Sequence, residues 1–189
     1  MTTNASLHKR LTTLLPALTL GIALLLAGCG PSIHDTVARG DITCVRDMLE
    51  KEPALVHAQD GKLKTPLHAA VTYRKTDVMP LLLEFGADIN RVDITGMTPL
   101  HVAAMLGRRD EAAFLLEHGA DPLLEDHYGD TPLHTAAIFG HGHIIRLLVE
   151  QGIKPNLVNG NGETALEIAA NYRQERVAQY LEHLMRQQS

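Results

Sequence analysis

The sequence predicts an all-α repeat solenoid, and three observations predict it. The pattern Thr-Pro-Leu-His-x-Ala stands at 65–70, 98–103 and 131–136, with a decayed copy at 164–169, so that four threonines lie 33 residues apart. A fixed period of this length marks one supersecondary unit stacked on copies of itself. Glycines recur at the same period, at Gly86, Gly119 and Gly152, where a helix C-cap in the left-handed region is wanted. The composition agrees: 45% of the 189 residues are hydrophobic, but only 4% are aromatic and Trp is absent. Thin layers of Leu, Ala, Val and Ile suit a solenoid, whose surface is buried between neighbours rather than around one large centre.

The chain opens on a segment of another kind. His8, Lys9 and Arg10 form a short basic region, and 11–27 is an apolar run interrupted by Thr12, Thr13, Pro16, Thr19 and Gly21. The run is shorter than the roughly 20 residues of a stable membrane span, so a secretory leader is expected over 1–28. It closes on Leu26, Ala27, Gly28 and Cys29, which resembles the lipobox of bacterial lipoproteins. That resemblance implies cleavage before Cys29 and lipidation of its sulfur and new amine. The mature chain would begin with a lipidated terminus and linker at 29–31, held in the membrane through Cys29. Gly30 stands where an inner-membrane retention signal places Asp. The family rule then implies the periplasmic face of the outer membrane. Cleavage would remove two of the 17 Lys and Arg and none of the 22 acidic residues, taking the formal charge from −5 to −7.

The repeat domain is expected over 32–189. A first helix without the hexapeptide should run over 33–40 and a second over 41–50. The distance from Gly40 to Gly107 is one residue more than two periods, and the extra residue is placed in 51–56. Thr65, Thr98 and Thr131 should then cap three helices, with proline at the first helical position, where its missing N–H costs nothing. In the last copy Ala165 and Glu167 replace Pro and His, giving a capping box instead. Gly107 and Gly140 stop first helices, and leucine-rich second helices follow at 81–83, 115–116 and 147–148. Terminal repeats must turn a polar face to solvent. Glu175, Arg176, Gln179, Glu182, His183 and Arg186 supply one to the last helix, with Val177, Ala178, Tyr180, Leu181 and Leu184 inward.

The hexapeptide and its period resemble the ankyrin repeat. This implies about five repeats, each a helix-turn-helix with a projecting β-hairpin finger, two of them capping. Segments such as 90–97 would be the fingers. Three departures stand out: Leu63 where Gly96, Gly129 and Gly162 stand, so that the first finger is expected to turn differently; Arg74 where Gly107 and Gly140 stand; and Pro80, near a first turn that Thr76 would cap. Asn159, Gly160, Asn161 and Gly162 read as a finger turn rather than a phosphate loop.

The resemblance also implies a protein partner, bound along the finger tips and the exposed side of the first helices on the concave face. At those positions stand Ile94, Met97, Met105 and Leu106, then Tyr128, Ile138 and Phe139, with Tyr73 and Tyr172 at the phase of Leu106 and Phe139. Solvent alone would not require Met, Ile, Phe and Tyr there, so they read as an apolar interface. Lys62 and Lys64 at one end and Glu125, Asp126 and Asp130 further along would orient the partner.

Other functions find little support. Net charge is negative without a Lys/Arg block, which argues against nucleic acid. His68, His101 and His134 belong to helix starts; His141, His143, His118 and His127 form no fixed-spacing metal set, and neither metal nor other cofactor is expected. The mature chain would hold only Ser32 and Ser189 as serines and Cys44 as its free cysteine, most simply a buried small hydrophobe. The expectation is a monomeric, non-enzymatic, lipid-anchored binding protein, acting as an inhibitor of immunity type or a scaffold for an enzyme. The alternative is an enzyme or metal-binding protein using Cys44 or a histidine site.

Overall fold

The structure is a computed structural model and describes residues 32–187; the expected leader over 1–28, the linker over 29–31 and Cys29 lie outside them. Among the described residues ten α-helices follow one another: α1 (Ile33–Arg39), α2 (Ile42–Lys51), α3 (Pro66–Thr72), α4 (Met79–Glu84), α5 (Pro99–Leu106), α6 (Arg109–Glu117), α7 (Pro132–Ile138), α8 (Gly142–Glu150), α9 (Ala165–Asn171) and α10 (Glu175–Gln187). They pair in chain order into five hairpins. The first helices stack α1 on α3, α3 on α5, α5 on α7 and α7 on α9. The second helices α6, α8 and α10 form a parallel layer behind them. Leu67, Leu100, Leu133, Leu115, Ile144, Leu148 and Leu181 are fully buried between the layers. Ala103, Ala104, Ala136, Ala137 and Ala169 are buried as well, and their small side chains let the first helices approach closely.

Each hairpin is closed by a residue in the left-handed region: Gly40, Arg74, Gly107, Gly140 and Arg173. The departure at Arg74 is therefore one of residue type and not of conformation. The 34 residues from Gly40 to Arg74, against 33 at each later step, place the extra residue in the first repeat. There a 3₁₀ turn, Pro53–His57, follows α2 where α4, α6 and α8 are followed by Gly86, Gly119 and Gly152, all at positive φ. Pro80 is accommodated in the first turn of α4. Thr76 does not cap that helix: it opens a 3₁₀ turn, and its hydroxyl donates to the buried Glu111 carboxylate at 2.7 Å.

The fingers depart from expectation in two ways. They are tight turns rather than β-hairpins: among the described residues there is no strand, and one bridge joins Val158 to Thr164. Five residues suffice because an acidic or amide side chain organises each tip. Oδ1 of Asp60 accepts the N–H groups of Lys62 and Lys64. Asp93 does the same for Thr95 and Met97, Asp126 for Tyr128 and Asp130, and Asn159 for Asn161 and Glu163. The first finger turns like the others, because Leu63 adopts φ 59° where the three glycines lie at 81°. The Asx turn outweighs the cost of a left-handed leucine.

At the far end Val177 and Leu181 of α10 are buried while Arg176, Gln179, Glu182, His183 and Arg186 face solvent. Arg146 lies over the Tyr180 ring, 5.7 Å from its centroid.

Candidate partner-binding site

The hexapeptide threonines and histidines tie each repeat to the next. Thr65 donates its N–H to Nδ1 of His68 at 3.1 Å; Thr98 to His101 and Thr131 to His134 do likewise at 3.2 and 3.4 Å. The threonine hydroxyls stand 2.8 to 2.9 Å from the same nitrogens. Histidine thus takes the place of Glu in a capping box. A backbone N–H can only donate, so Nδ1 is the bare nitrogen and Nε2 carries the hydrogen. Nε2 of His68 donates forward to the Met97 carbonyl at 3.1 Å, and that of His101 to the Asp130 carbonyl at 2.9 Å. His134 reaches the Leu157 carbonyl at 3.0 Å, and the Glu163 backbone that the period gives is a further, weaker partner. Burial pushes the pKa of all three below the ordinary histidine value, although the accepting carbonyls and nearby carboxylates oppose it. These histidines are neutral structural donors.

His34 belongs to the same series, 2.8 Å from the Lys64 carbonyl, and sequence reading missed it because no Thr-Pro-Leu precedes it. His141 and His143 are also structural. Their Nε2 atoms donate to the Met105 and Gly107 carbonyls at 3.1 Å, and Gln174 repeats the first bond one period later, on Ile138 at 2.9 Å. His118, which caps the end of α6, stacks on Phe114 of that helix. His127 touches the preceding finger: its N–H donates to the Thr95 carbonyl at 3.0 Å, and a Cβ at Gly96 would stand 2.6 Å from that nitrogen.

Cys44 is buried, as expected, on the inner side of α2. It is not a free thiol: its sulfur is disulfide-bonded. A disulfide sulfur offers neither thiolate nucleophile nor metal ligand, which corrects the reading of Cys44 as a free cysteine and the part of the alternative that used it. Among the described residues no three His, Cys, Asp or Glu side chains gather as metal ligands.

The face made by the fingers and first helices carries two clefts. One, of about 380 Å³, lies between the last three fingers and α5, α7 and α9, and six of the nine sequence-derived positions meet in its wall: Met97, Met105, Tyr128, Ile138, Phe139 and Tyr172. Tyr128, Phe139 and Tyr172 are 70, 48 and 58% exposed, while Met97, Met105 and Ile138 are half-buried against the core. The same wall carries Asp126, Asp130 and Glu163, together with Thr135 and Asn161, which sequence reading did not assign to the groove. Tyr73 lies in the other cleft, of about 720 Å³, with His34, Lys62 and Lys64. Ile94 is exposed and Leu106 half-buried, and neither lines these two clefts. Of the charges foreseen as a gradient, Lys62 and Lys64 line one cleft and Asp126 and Asp130 the other, while Glu125 lines neither.

The Asp130 side chain is 8% exposed, and Asn159 donates to its Oδ1 at 2.7 Å. Burial raises its pKa above the ordinary carboxylate value; the Asn159 bond opposes this and the neighbouring Asp126 and Glu163 add to it. Asp93 sits one repeat earlier, and burial pushes it the same way. Hydrogen bonds from the Thr95 hydroxyl and the Thr95 and Met97 amides outweigh that effect and hold its pKa low.

Comparison with known proteins gives the same architecture. The family model described as Ankyrin repeats (3 copies) matches residues 33–126 and 121–186. A serine/threonine-protein kinase VIK of Arabidopsis thaliana is 49% identical over 55 residues, which are 29% of this chain and 13% of the kinase. A homolog of the transient receptor potential cation channel subfamily A member 1 from Caenorhabditis elegans is 40% identical over 55 residues, 29% of this chain and 4% of the channel. The chain therefore spans a small part of the length of either relative, and the likeness lies within repeat sequence.

Proposed function

Because the chain belongs to the ankyrin-repeat family, whose repeats are protein-binding modules and generally not catalytic, we propose that it is a lipid-anchored envelope protein that binds one partner protein across the finger face. The observation that carries the reading is the cleft in which Met105, Tyr128, Ile138, Phe139 and Tyr172 converge. Exposed aromatic rings at the centre of a recess are what an interface uses to concentrate its energy. The finger face is the surface for recognition, and the chain acts on its partner as a monomer.

A photoreactive group in place of Phe139 should cross-link the partner in native envelopes, and one at Glu150 on the second-helix side should not. Phe139→Ala and Tyr128→Ala should each weaken binding by about 2 kcal/mol or more while the fold survives. Cross-linking from Glu150 alone, or unfolding by Phe139→Ala, would reject the face. An inhibitor of immunity type abolishes one activity of its captured client and a scaffold leaves it active, so assay of the client separates these roles.

Leu26, Ala27, Gly28 and Cys29 after a basic, apolar leader support the anchor and, through Gly30, the outer membrane. Mass spectrometry should find the mature chain beginning at lipidated Cys29, and Cys29→Ser should release it or leave it unprocessed. A sulfur in a thioether cannot also close a disulfide. The chain has two cysteines, so a lipidated Cys29 and an intrachain disulfide of Cys44 exclude each other, and the same spectrum decides between them: acyl chains on Cys29 support the anchor, and unmodified Cys29 or a Cys29–Cys44 linked peptide in the membrane form rejects it.

A further inference from the structure

The cleft beneath Tyr128 carries more negative charge than its apolar wall needs. Asp126, Asp130 and Glu163 share it with the rings of Tyr128, Phe139 and Tyr172, and no Lys or Arg lines it. Among the described residues the ion pairs are Arg46–Glu84 and Arg186–Glu182, so no described Lys or Arg pairs with these three carboxylates. The hydrogen bonds to the Asp126 and Asp130 carboxylates all go to Oδ1. Oδ2 of each is left to accept from elsewhere.

A separate observation comes from the cleft's inner wall. Thr135 is 3% exposed, and its Oγ1 is buried without a hydrogen-bond partner. Buried polar atoms are nearly always paired, and a helical threonine ordinarily finds the carbonyl four residues back. Here an acceptor stands unused at the wall of an acidic, aromatic recess.

We propose that this cleft is the subsite for an arginine side chain presented by the partner, a reading that rests on the finger face being the binding surface. The guanidinium is planar and offers five N–H donors. It can stack on an aromatic ring while forking onto carboxylate oxygens, which a compact ammonium does less well. Tyr128, Phe139 and Tyr172 supply the rings, Asp126, Asp130 and Glu163 the charge, and Oγ1 of Thr135 an acceptor. The lysine-bearing cleft at the other end has the wrong sign for the same group. The partner therefore docks with its basic segment over the last three fingers.

The probe is the capped tripeptide acetyl-Gly-Arg-Gly-amide, titrated into the ¹⁵N-labelled protein beside acetyl-Gly-Gln-Gly-amide. The amides of Tyr128, Thr135 and Asn161 should shift saturably with the arginine peptide and not with the glutamine peptide. Asp126→Asn combined with Glu163→Gln should weaken the response at least about five-fold, because the attraction is electrostatic. The turn survives Asp126→Asn, since Asn159 performs the same bonding in the next finger, and Glu163 uses its backbone rather than its carboxylate. Equal shifts with both peptides, or an unaltered response in the double variant, overturn the subsite. So does a response to magnesium chloride but not to the peptide. With cross-linking through Phe139 intact, such a failure removes only the arginine subsite; loss of that cross-link removes the face itself.

Discussion

Acid should loosen this array through its hexapeptide histidines, and His101→Gln measures by how much. In the folded chain His68, His101 and His134 have pKa values lowered by burial, whereas an unfolded histidine titrates near about 6.5. As pH falls below that value the unfolded chain takes up protons that the folded chain refuses, so stability is full above about pH 6.5 and is lost on acidification toward the folded pKa. Each fully differential proton is worth about 1.4 kcal/mol per pH unit. Three give a limiting slope of about 4 kcal/mol per unit, comparable within two units to the whole stability of a small domain. Glutamine at position 101 can still accept the Thr98 N–H as the third residue of a capping box. It cannot protonate, and it leaves the Asp130 carbonyl without the ring donor. Urea unfolding at pH 7.5, 6.5 and 5.5 should show His101→Gln less stable than wild type by about 1 to 3 kcal/mol at pH 7.5, and a slope below pH 6.5 reduced by about 1.4 kcal/mol per unit. Asp130 works in the opposite sense, since a raised carboxylate pKa favours the folded state on acidification, but only nearer its own range. Parallel pH curves for wild type and variant would show that the histidine ring does not refuse the proton, and the tautomer assignment would fall with them.

Leu115 is fully buried, so Leu115→Ala should cost about 2 to 5 kcal/mol against about 1 kcal/mol for loss of the cap in Thr98→Ala; equal melting curves for wild type and Leu115→Ala would contradict the packing. At the finger tips the sign should reverse between repeats: Gly96→Ala drives a Cβ into the His127 nitrogen and should destabilise, whereas Leu63→Gly relieves a left-handed leucine and should raise stability by up to about 1 kcal/mol. Thr76→Val removes the hydroxyl that serves the buried Glu111 carboxylate. It should cost about 1 to 3 kcal/mol in thermal unfolding, and an unchanged transition would mean that the carboxylate is satisfied by water.

Helix starts and stops were readable because they are local chemistry. Thr-Pro sets a cap and a first turn within two residues, and a stop glycine needs only its own φ. The fingers were less readable: resemblance suggested β-hairpins, yet a single Asx side chain closes each loop and overrides residue type at position 63. His34 escaped notice because what it shares with His68 is a distant carbonyl. Six groove positions followed from repeat phase, since phase fixes direction along a solenoid. Tyr73 was separated from them because direction alone does not say which recess a side chain enters. Sequence alone reads Asp126 and Asp130 only as part of an orienting charge gradient and does not find Glu163, for entry of a charged side chain into a recess has no signature in one sequence. The disulfide of Cys44 was equally illegible, as pairing depends on distance in space.

The forward bonds of His34, His68, His101 and His134 also give the array a direction and an end. Each repeat offers an N–H to the carbonyl of the one that follows, and in the last copy the donor is gone: Glu167 turns its carboxylate back onto Thr164. Oxygen facing oxygen cannot make that join. A copied repeat spliced between α8 and α9 would find a donor before it and an acceptor site after it, but one appended beyond α10 would meet a repeat with nothing to give. Glu167→His would restore at this repeat the forward donor that His68 and His101 supply to theirs.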